Sequence, residues 1–456
     1  MKKLLITTMA LLGSALIAIA FVGPAYIASA PGVASGMGAK LLCSARYVSG
    51  FSEQQALDDL VQYSPLLEYL EIQYDTANMT VTTSLFGISS ATAVYLPGVG
   101  CSNNYPGFDQ RNALQTRELP ALGHDWPLGN RVATVDAEVQ ALAEQLRDED
   151  NAAGLNTRAL LVVRNGRIVA EAYARNAGPE TPLLGWSMAK SLTSVMIGNL
   201  QLRGLVNVDE PTGFAEWAGD GRAAIKITDL LTMTDGLDFS EEYNPGDDAT
   251  AMLFTEPSAS DYVLGKKPIH TGGSHFNYSS GTANLLSRLY FERTGGTAQN
   301  NYDEFITHIA SPLGFQHSIL ETDASGVFVG SSYLYASARD WARLGQMMLN
   351  GGVLNGQRIV SADWVARSTR PNTSQNGPAY GYQWWLNRGG EQLRWADLPA
   401  DAYAAQGNRE QSVMVIPSAG LVIVRLGWTS GIYPVNERFA KILWAAGASK
   451  AQPEPR

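Results

Sequence analysis

Ser187 and Lys190 stand three residues apart at the start of a stretch, Ser187 to Leu202, in which Met188, Leu192, Val195, Met196 and Leu200 form an apolar stripe at helical spacing. On a helix this spacing brings the lysine ammonium within reach of the serine hydroxyl. A serine at a helix start often serves only as an N-cap, and a lysine one turn on is often merely solvated. The chemistry open to the pair is nucleophilic. In a semi-buried site a lysine loses its proton more readily and can activate the hydroxyl. The helix N-terminus favours negative charge at the same place, and its backbone N–H groups can serve an oxyanion.

Two further segments could complete such a site. Tyr278 lies in Asn277-Tyr278-Ser279-Ser280-Gly281-Thr282, a polar loop before a helical run from Ala283 to Phe291. Such a tyrosine is commonly a packing residue. Beside a lysine ammonium its phenolate is stabilised, which makes it a candidate general base or acid. In Ala405-Gln406-Gly407-Asn408, Gly407 lets a backbone approach a ligand closely, and the Asn408 N–H is a candidate second oxyanion donor. Gly185-Trp186-Ser187-Met188-Ala189 nearly fits the nucleophile elbow of α/β-hydrolases, but Pro182 to Gly185 make a poor strand leading into it. His124, His270, His275, His308 and His317 show no metal-binding spacing, so no metal or other cofactor is expected.

The elements that must position these residues are legible at both ends of the second half of the chain. Leu160 to Arg164 and Arg167 to Tyr173 flank Asn165-Gly166, the strongest short signal for a hairpin turn. Ser412 to Ile416 and Leu421 to Arg425 flank Pro417-Ser418-Ala419-Gly420 and predict a second hairpin. Between them the signals are helical or loop-like, as in Ser187–Leu202 and Ala336–Asn350, and Phe439–Ala446 predicts a terminal helix. Hairpins at both ends with helices between predict an α+β fold: one antiparallel sheet built from the two ends, and a helical insertion.

The ordered set resembles the serine β-lactamase and penicillin-binding superfamily. Three more stretches carry the likeness: Ile227 to Leu237, Tyr335 to Gly345 and Tyr380 to Trp385. Within the superfamily it is similar to the class C-like branch, and most to 6-aminohexanoate-dimer hydrolases and related esterases. The resemblance implies a sheet flanked by helices with a mostly helical second lobe, Ser187, Lys190 and Tyr278 as the catalytic trio, and Ser280 as a supporting member of the tyrosine motif. It implies hydrolysis of a small-molecule ester or amide through an acyl-serine. A class C-like β-lactamase or D-Ala-D-Ala peptidase is the first alternative, and a non-catalytic binding protein that keeps the fold the second. The departures are Asp229 and Asp235 in the first stretch, and Ala405 and Gln406 where β-lactamases and peptidases carry a cation and a hydroxyl that grip a carboxylate. Arg409 is the nearby residue that could replace that cation. Trp186, Tyr243 and Trp384-Trp385 are expected to line the pocket.

The preceding segment sets the location. Lys2 and Lys3 precede an uncharged run from Leu4 to Val22, broken by Gly23-Pro24. It predicts an inner-membrane anchor, or a signal peptide cleaved after Ala28-Ser29-Ala30; either way the rest is exported to the periplasm or beyond. The expected division is residues 1–30 for targeting, 31–150 for an extension opening with a flexible linker over 31–40, and 151–450 for the hydrolase domain. Cys43 and Cys101 are the two cysteines of the chain. Export permits a disulfide between them worth ~4 kcal/mol on the chain-entropy model; two unrelated buried cysteines are the other reading. With a net charge of −10 and no long basic run, nucleic acid is not an expected partner.

Overall fold

The two hairpins meet in one sheet. The computed structural model describes residues 23–447, apart from 109, 118 and 120–122. Strands Thr157–Arg164 and Arg167–Tyr173 turn at Asn165-Gly166, both with positive φ (49° and 78°) as a type I′ turn requires. Strands Gln411–Ile416 and Leu421–Gly427 form the late hairpin, and Leu421 pairs with Arg164 across the junction. Trp385–Leu386 and Tyr403–Gly407 extend the late side, giving six antiparallel strands whose order joins the ends of the domain. Every residue of Gln411–Ile416 is buried, because both faces of the sheet are covered. One face carries helices Ala137–Ala152 and Val435–Ala445. The other packs on helix Ala338–Leu349 and the main core.

Residues between 174 and 384 form the mainly helical lobe, with helices Ala189–Leu202 and Ser280–Arg293 at its centre. It holds a small three-stranded antiparallel sheet in which Leu183–Leu184 pairs with Leu334–Ala336. A short strand therefore does precede Ser187, but it is antiparallel and lies outside the main sheet, unlike the parallel scaffold of an α/β-hydrolase. The stretch from Tyr380 reaches strand geometry only at Trp385–Leu386; before it the chain makes a single bridge, Tyr380 to Trp385. Asp229 sits on the buried side of helix Ile227–Leu231 and accepts the Lys226 N–H at 2.9 Å, closing the helix start.

The segment ahead of residue 104 departs most from expectation. No linker lies at 31–40: helix Pro24–Tyr47 runs through it, and the Ala28-Ser29-Ala30 site lies inside the same helix. The small residues that read as flexible are contact points. A Cβ on Gly36 would stand 2.0 Å from the Phe254 carbonyl oxygen, so only glycine permits that approach. The helix also packs on a four-stranded antiparallel meander, Leu70–Asp75, Thr80–Leu85, Ser89–Leu96 and Gly100–Asn103, where Val81, Thr83 and Leu85 alternate inward. Cys43 and Cys101 are disulfide-bonded, tying helix to last strand.

Buried ion pairs hold this layer to the rest. Lys40 pairs with Glu321, both sequestered, and Glu321 also accepts the Ser44 hydroxyl at 2.9 Å and the Cys101 N–H at 2.7 Å. Asp59 receives Arg158 through both carboxylate oxygens at 2.5 and 2.7 Å. Helix Ala137–Ala152 spans the expected boundary at 150 and packs on the main sheet. The uncharged run Leu4–Val22 lies outside the described residues; among those described, no helix is long and apolar enough to cross a membrane.

Candidate active site

Ser187 sits in a 3₁₀ turn, Trp186–Met188, that leads directly into the buried helix Ala189–Leu202. Trp186 enters the turn with a positive φ of 47°, a strained conformation for a bulky residue and one that clusters at functional sites. One turn on, the Lys190 nitrogen is fully enclosed. It lies 2.9 Å from Ser187 Oγ, 3.0 Å from Ser280 Oγ and 3.0 Å from the Ser331 carbonyl oxygen. Burial pulls its pKa down from the usual lysine range to about 8, against the opposing pull of Glu241. A neutral amine keeps two N–H groups for Ser280 and Ser331, leaving its lone pair for the Ser187 hydroxyl.

Ser280, at the start of helix Ser280–Arg293, links the lysine to a carboxylate. Its hydroxyl donates to Glu241 at 2.5 Å, and its backbone N–H donates to the same carboxylate at 2.6 Å. The Tyr243 hydroxyl adds a third bond to Glu241 at 2.7 Å. Glu241 therefore influences Lys190 through one intervening hydroxyl, without touching it.

Tyr278 is brought to the same point. Its ring centroid is 5.0 Å from the Lys190 nitrogen, and its hydroxyl interacts with that of Ser187. Burial, reinforced by the Glu241 charge, raises its pKa well above the ordinary tyrosine value. The resting group is a phenol, contrary to the stabilised phenolate expected from the lysine alone; burial within the fold, with the Glu241 charge added to it, reverses the balance. Tyr380 and Trp385 pack the other side of the ring, at 5.9 and 5.0 Å between centroids.

Gly407 ends its strand directly against the Trp186–Met188 turn. A Cβ there would stand 2.1 Å from the Gly185 carbonyl oxygen and 3.1 Å from Ser187 N. This places the exposed Asn408 beside Ser187, both lining a cleft of about 690 Å3 with Tyr278 and Glu241. Tyr243 and Trp385 line the cleft as expected; Trp384 is instead buried against Tyr403, and Trp186 is buried and faces a neighbouring cavity. Ala405 is buried and Gln406 faces the cleft, so neither supplies a cation. Arg409 does not replace one. Its guanidinium stacks on Tyr63, 3.9 Å from the ring centroid, and donates to Ser430 at 3.1 Å. The cation that does line the cleft is Arg394, 4.2 Å from the Trp385 ring centroid.

Glu241, Ser331 and Arg394 escaped the sequence reading. Glu241 has an acidic neighbour, Glu242, that is exposed, and nothing local separates the two. Arg394 lies in a polar loop with no periodicity.

A family model described as beta-lactamase matches residues 139–434. A 6-aminohexanoate-dimer hydrolase from Paenarthrobacter ureafaciens is 27% identical over 272 residues, covering 54% of this chain and 69% of that protein. Among solved structures, a putative 6-aminohexanoate-dimer hydrolase from Bacillus anthracis superposes with a TM-score of 0.57 at 21% identity, covering 68% of this chain and 85% of that one. A family VIII carboxylesterase superposes with a TM-score of 0.53 at 15% identity, covering 69% and 99%. At these identities the structural likeness speaks for the fold.

Proposed function

Because the chain belongs to the beta-lactamase family of hydrolases, we propose that it cleaves carboxylic esters or linear amides through an acyl-enzyme on Ser187. The observation that carries this reading is the setting of Lys190: an enclosed amine 2.9 Å from the Ser187 hydroxyl, contacted by no carboxylate among the described residues, with a pKa brought down to about 8. Such a group is a proton acceptor near neutral pH. The Lys190 amine takes the Ser187 proton as Oγ attacks the substrate carbonyl. The N–H groups of Ser187 and Asn408 receive the oxyanion. The Tyr278 phenol protonates the departing alcohol or amine and is reprotonated by the Lys190 ammonium. Water then releases the acid by the reverse route.

The substrate class follows from the cations. Recognition of a carboxylate beside the scissile bond usually needs a charge-assisted hydrogen bond worth about 1.5–3 kcal/mol. Ala405 and Gln406 cannot make one, and Arg409 is committed to Tyr63. Penicillins and D-Ala-D-Ala termini are therefore poor candidates. Relatives named as a 6-aminohexanoate-dimer hydrolase and a carboxylesterase agree with an amide or ester substrate. One observation favours the alternative of a β-lactamase or peptidase: Arg394 lines the cleft, stacked on Trp385. The disulfide fits a periplasmic or extracellular location, and we assign the N-terminal segment to export, as an inner-membrane anchor or a cleaved signal.

A fluorophosphonate probe should label the wild type and not Ser187→Ala; equal labelling would overturn the assignment. On the unlabelled wild type, kcat/KM for p-nitrophenyl butyrate should exceed that for a chromogenic cephalosporin by roughly tenfold or more, the loss expected without a carboxylate grip. Efficient cephalosporin turnover that collapses in Arg394→Ala would move the function to a carboxylate-recognising enzyme.

A further inference from the structure

A second cavity, about 250 Å3, adjoins the catalytic cleft and shares Tyr243 and Asn408 with it. One wall is Trp186, the residue before the nucleophile. The opposite wall belongs to the N-terminal layer: Val33, Ala34 and Met37 of helix Pro24–Tyr47, with Leu67 just beyond Pro65. Phe254 closes a further side. None of its lining residues is charged, whereas the cleft beside it is lined by Glu241, Glu410 and Arg394. The N-terminal helix lies outside the matched family region, 139–434, and so completes a feature that region does not build alone.

We infer that this cavity is the acyl-chain pocket, and that the preferred substrates carry an unbranched, uncharged alkyl chain of medium length on the carbonyl side of the scissile bond. The inference rests on the ester or amide hydrolysis proposed above. Its direction follows from proton transfer. The leaving group must lie beside Tyr278 to be protonated, and Tyr278 lines the cleft but not the second cavity. The other substituent of the carbonyl carbon points away from Tyr278, past Asn408 and Trp186, into this uncharged and mainly apolar space. An alkyl chain gains by leaving water there, and charged groups are excluded because nothing pairs with them. At roughly 30 Å3 per water-sized group, the volume holds about eight methylenes.

The test is a series of p-nitrophenyl esters from acetyl to decanoyl on the full chain. Each buried methylene should raise kcat/KM by up to about fourfold, with a plateau near eight carbons. In Ala34→Phe and Met37→Trp, which fill the pocket from the helix side, the octanoyl-to-acetyl ratio should fall about tenfold or more. The same alkyl series placed on the alcohol side should show a much weaker dependence. A flat or falling wild-type acyl series would overturn the inference, as would a ratio unchanged in both filled variants, or a steeper dependence on the alcohol chain. If the variants do not fold, the wild-type series and competitive inhibition by octanoate against acetate decide the matter: equal inhibition overturns it. Turnover of the acetyl ester with no chain-length dependence would sink this inference alone, whereas absence of acetyl turnover and of probe labelling would sink the function on which it rests.

Discussion

Lys40 and Lys190 are both fully enclosed, and burial depresses the pKa of both, yet their surroundings differ in kind. Lys40 pairs directly with Glu321, whose second oxygen is held by Ser44 and the Cys101 N–H. Among the described residues Lys190 hydrogen-bonds only to hydroxyls and a carbonyl, and its carboxylate, Glu241, stands one serine away. A contacting carboxylate holds a buried ammonium charged and turns it into a fastener. A carboxylate held back by one hydroxyl lets burial bring the amine's pKa down to about 8, within reach of proton loss. The difference is a matter of one intervening side chain, not of burial.

Exchanging each lysine for an isosteric apolar residue should separate the two roles. Lys190→Met should slow hydrolysis of p-nitrophenyl butyrate by about 10²-fold or more, as loss of a general base does, while thermal stability is kept or raised. The sign follows from linkage. A folded pKa near 8 against 10.5 means the unfolded chain binds more protons between those values. The penalty is therefore largest below pH 8, at roughly 3 kcal/mol, and is relieved as pH rises toward 10.5. A large fall in melting temperature at pH 7 with activity retained would reverse the assignment of the two lysines.

Lys40→Met should do the opposite. It strands a buried Glu321 and should cost about 3–5 kcal/mol, read by denaturant unfolding, with the rate per folded molecule altered far less. The double variant Lys40→Met/Glu321→Leu should recover most of that loss, because replacing both partners removes the uncompensated charge. A double variant no better than the single would show that the loss comes from the Ser44 and Cys101 bonds to Glu321 and not from an unpaired charge.

The smallest effect is the sharpest test of the spacing. The acid limb of kcat/KM should have an apparent pKa of about 8, with activity rising as Lys190 loses its proton. Glu241 opposes that loss, so Glu241→Gln should move the limb to lower pH. A limb that stays in place, or moves upward, would show that the carboxylate does not act on the lysine.

How much of this could be read in advance depends on range. The hairpin at Asn165-Gly166, the late hairpin and the helix carrying Ser187 and Lys190 are all set by neighbours within a few residues, and all appear at the expected places. The stretch over 31–40 failed because glycine and serine signal flexibility only when nothing packs on them; here Gly36 lies against Phe254, more than two hundred residues away. Arg409 failed for the same kind of reason. Its position beside the late strand suggested the cleft, but Tyr63 from the N-terminal layer captures its guanidinium, and Arg394 comes in from a featureless loop.

The sequence by itself determined the α+β pattern, the meeting of serine and lysine one helical turn apart, and the two cysteines able to bond in an exported chain, because periodicity, turn chemistry and residue type are local properties. Only the tertiary structure decided that Glu241 stands one hydroxyl from Lys190, that Tyr278 rests as a phenol, that Arg394 and not Arg409 faces the cleft, and that the N-terminal helix walls a second cavity. Each of these depends on the burial and charge that distant segments bring to one point, and no residue carries that information in its own neighbourhood.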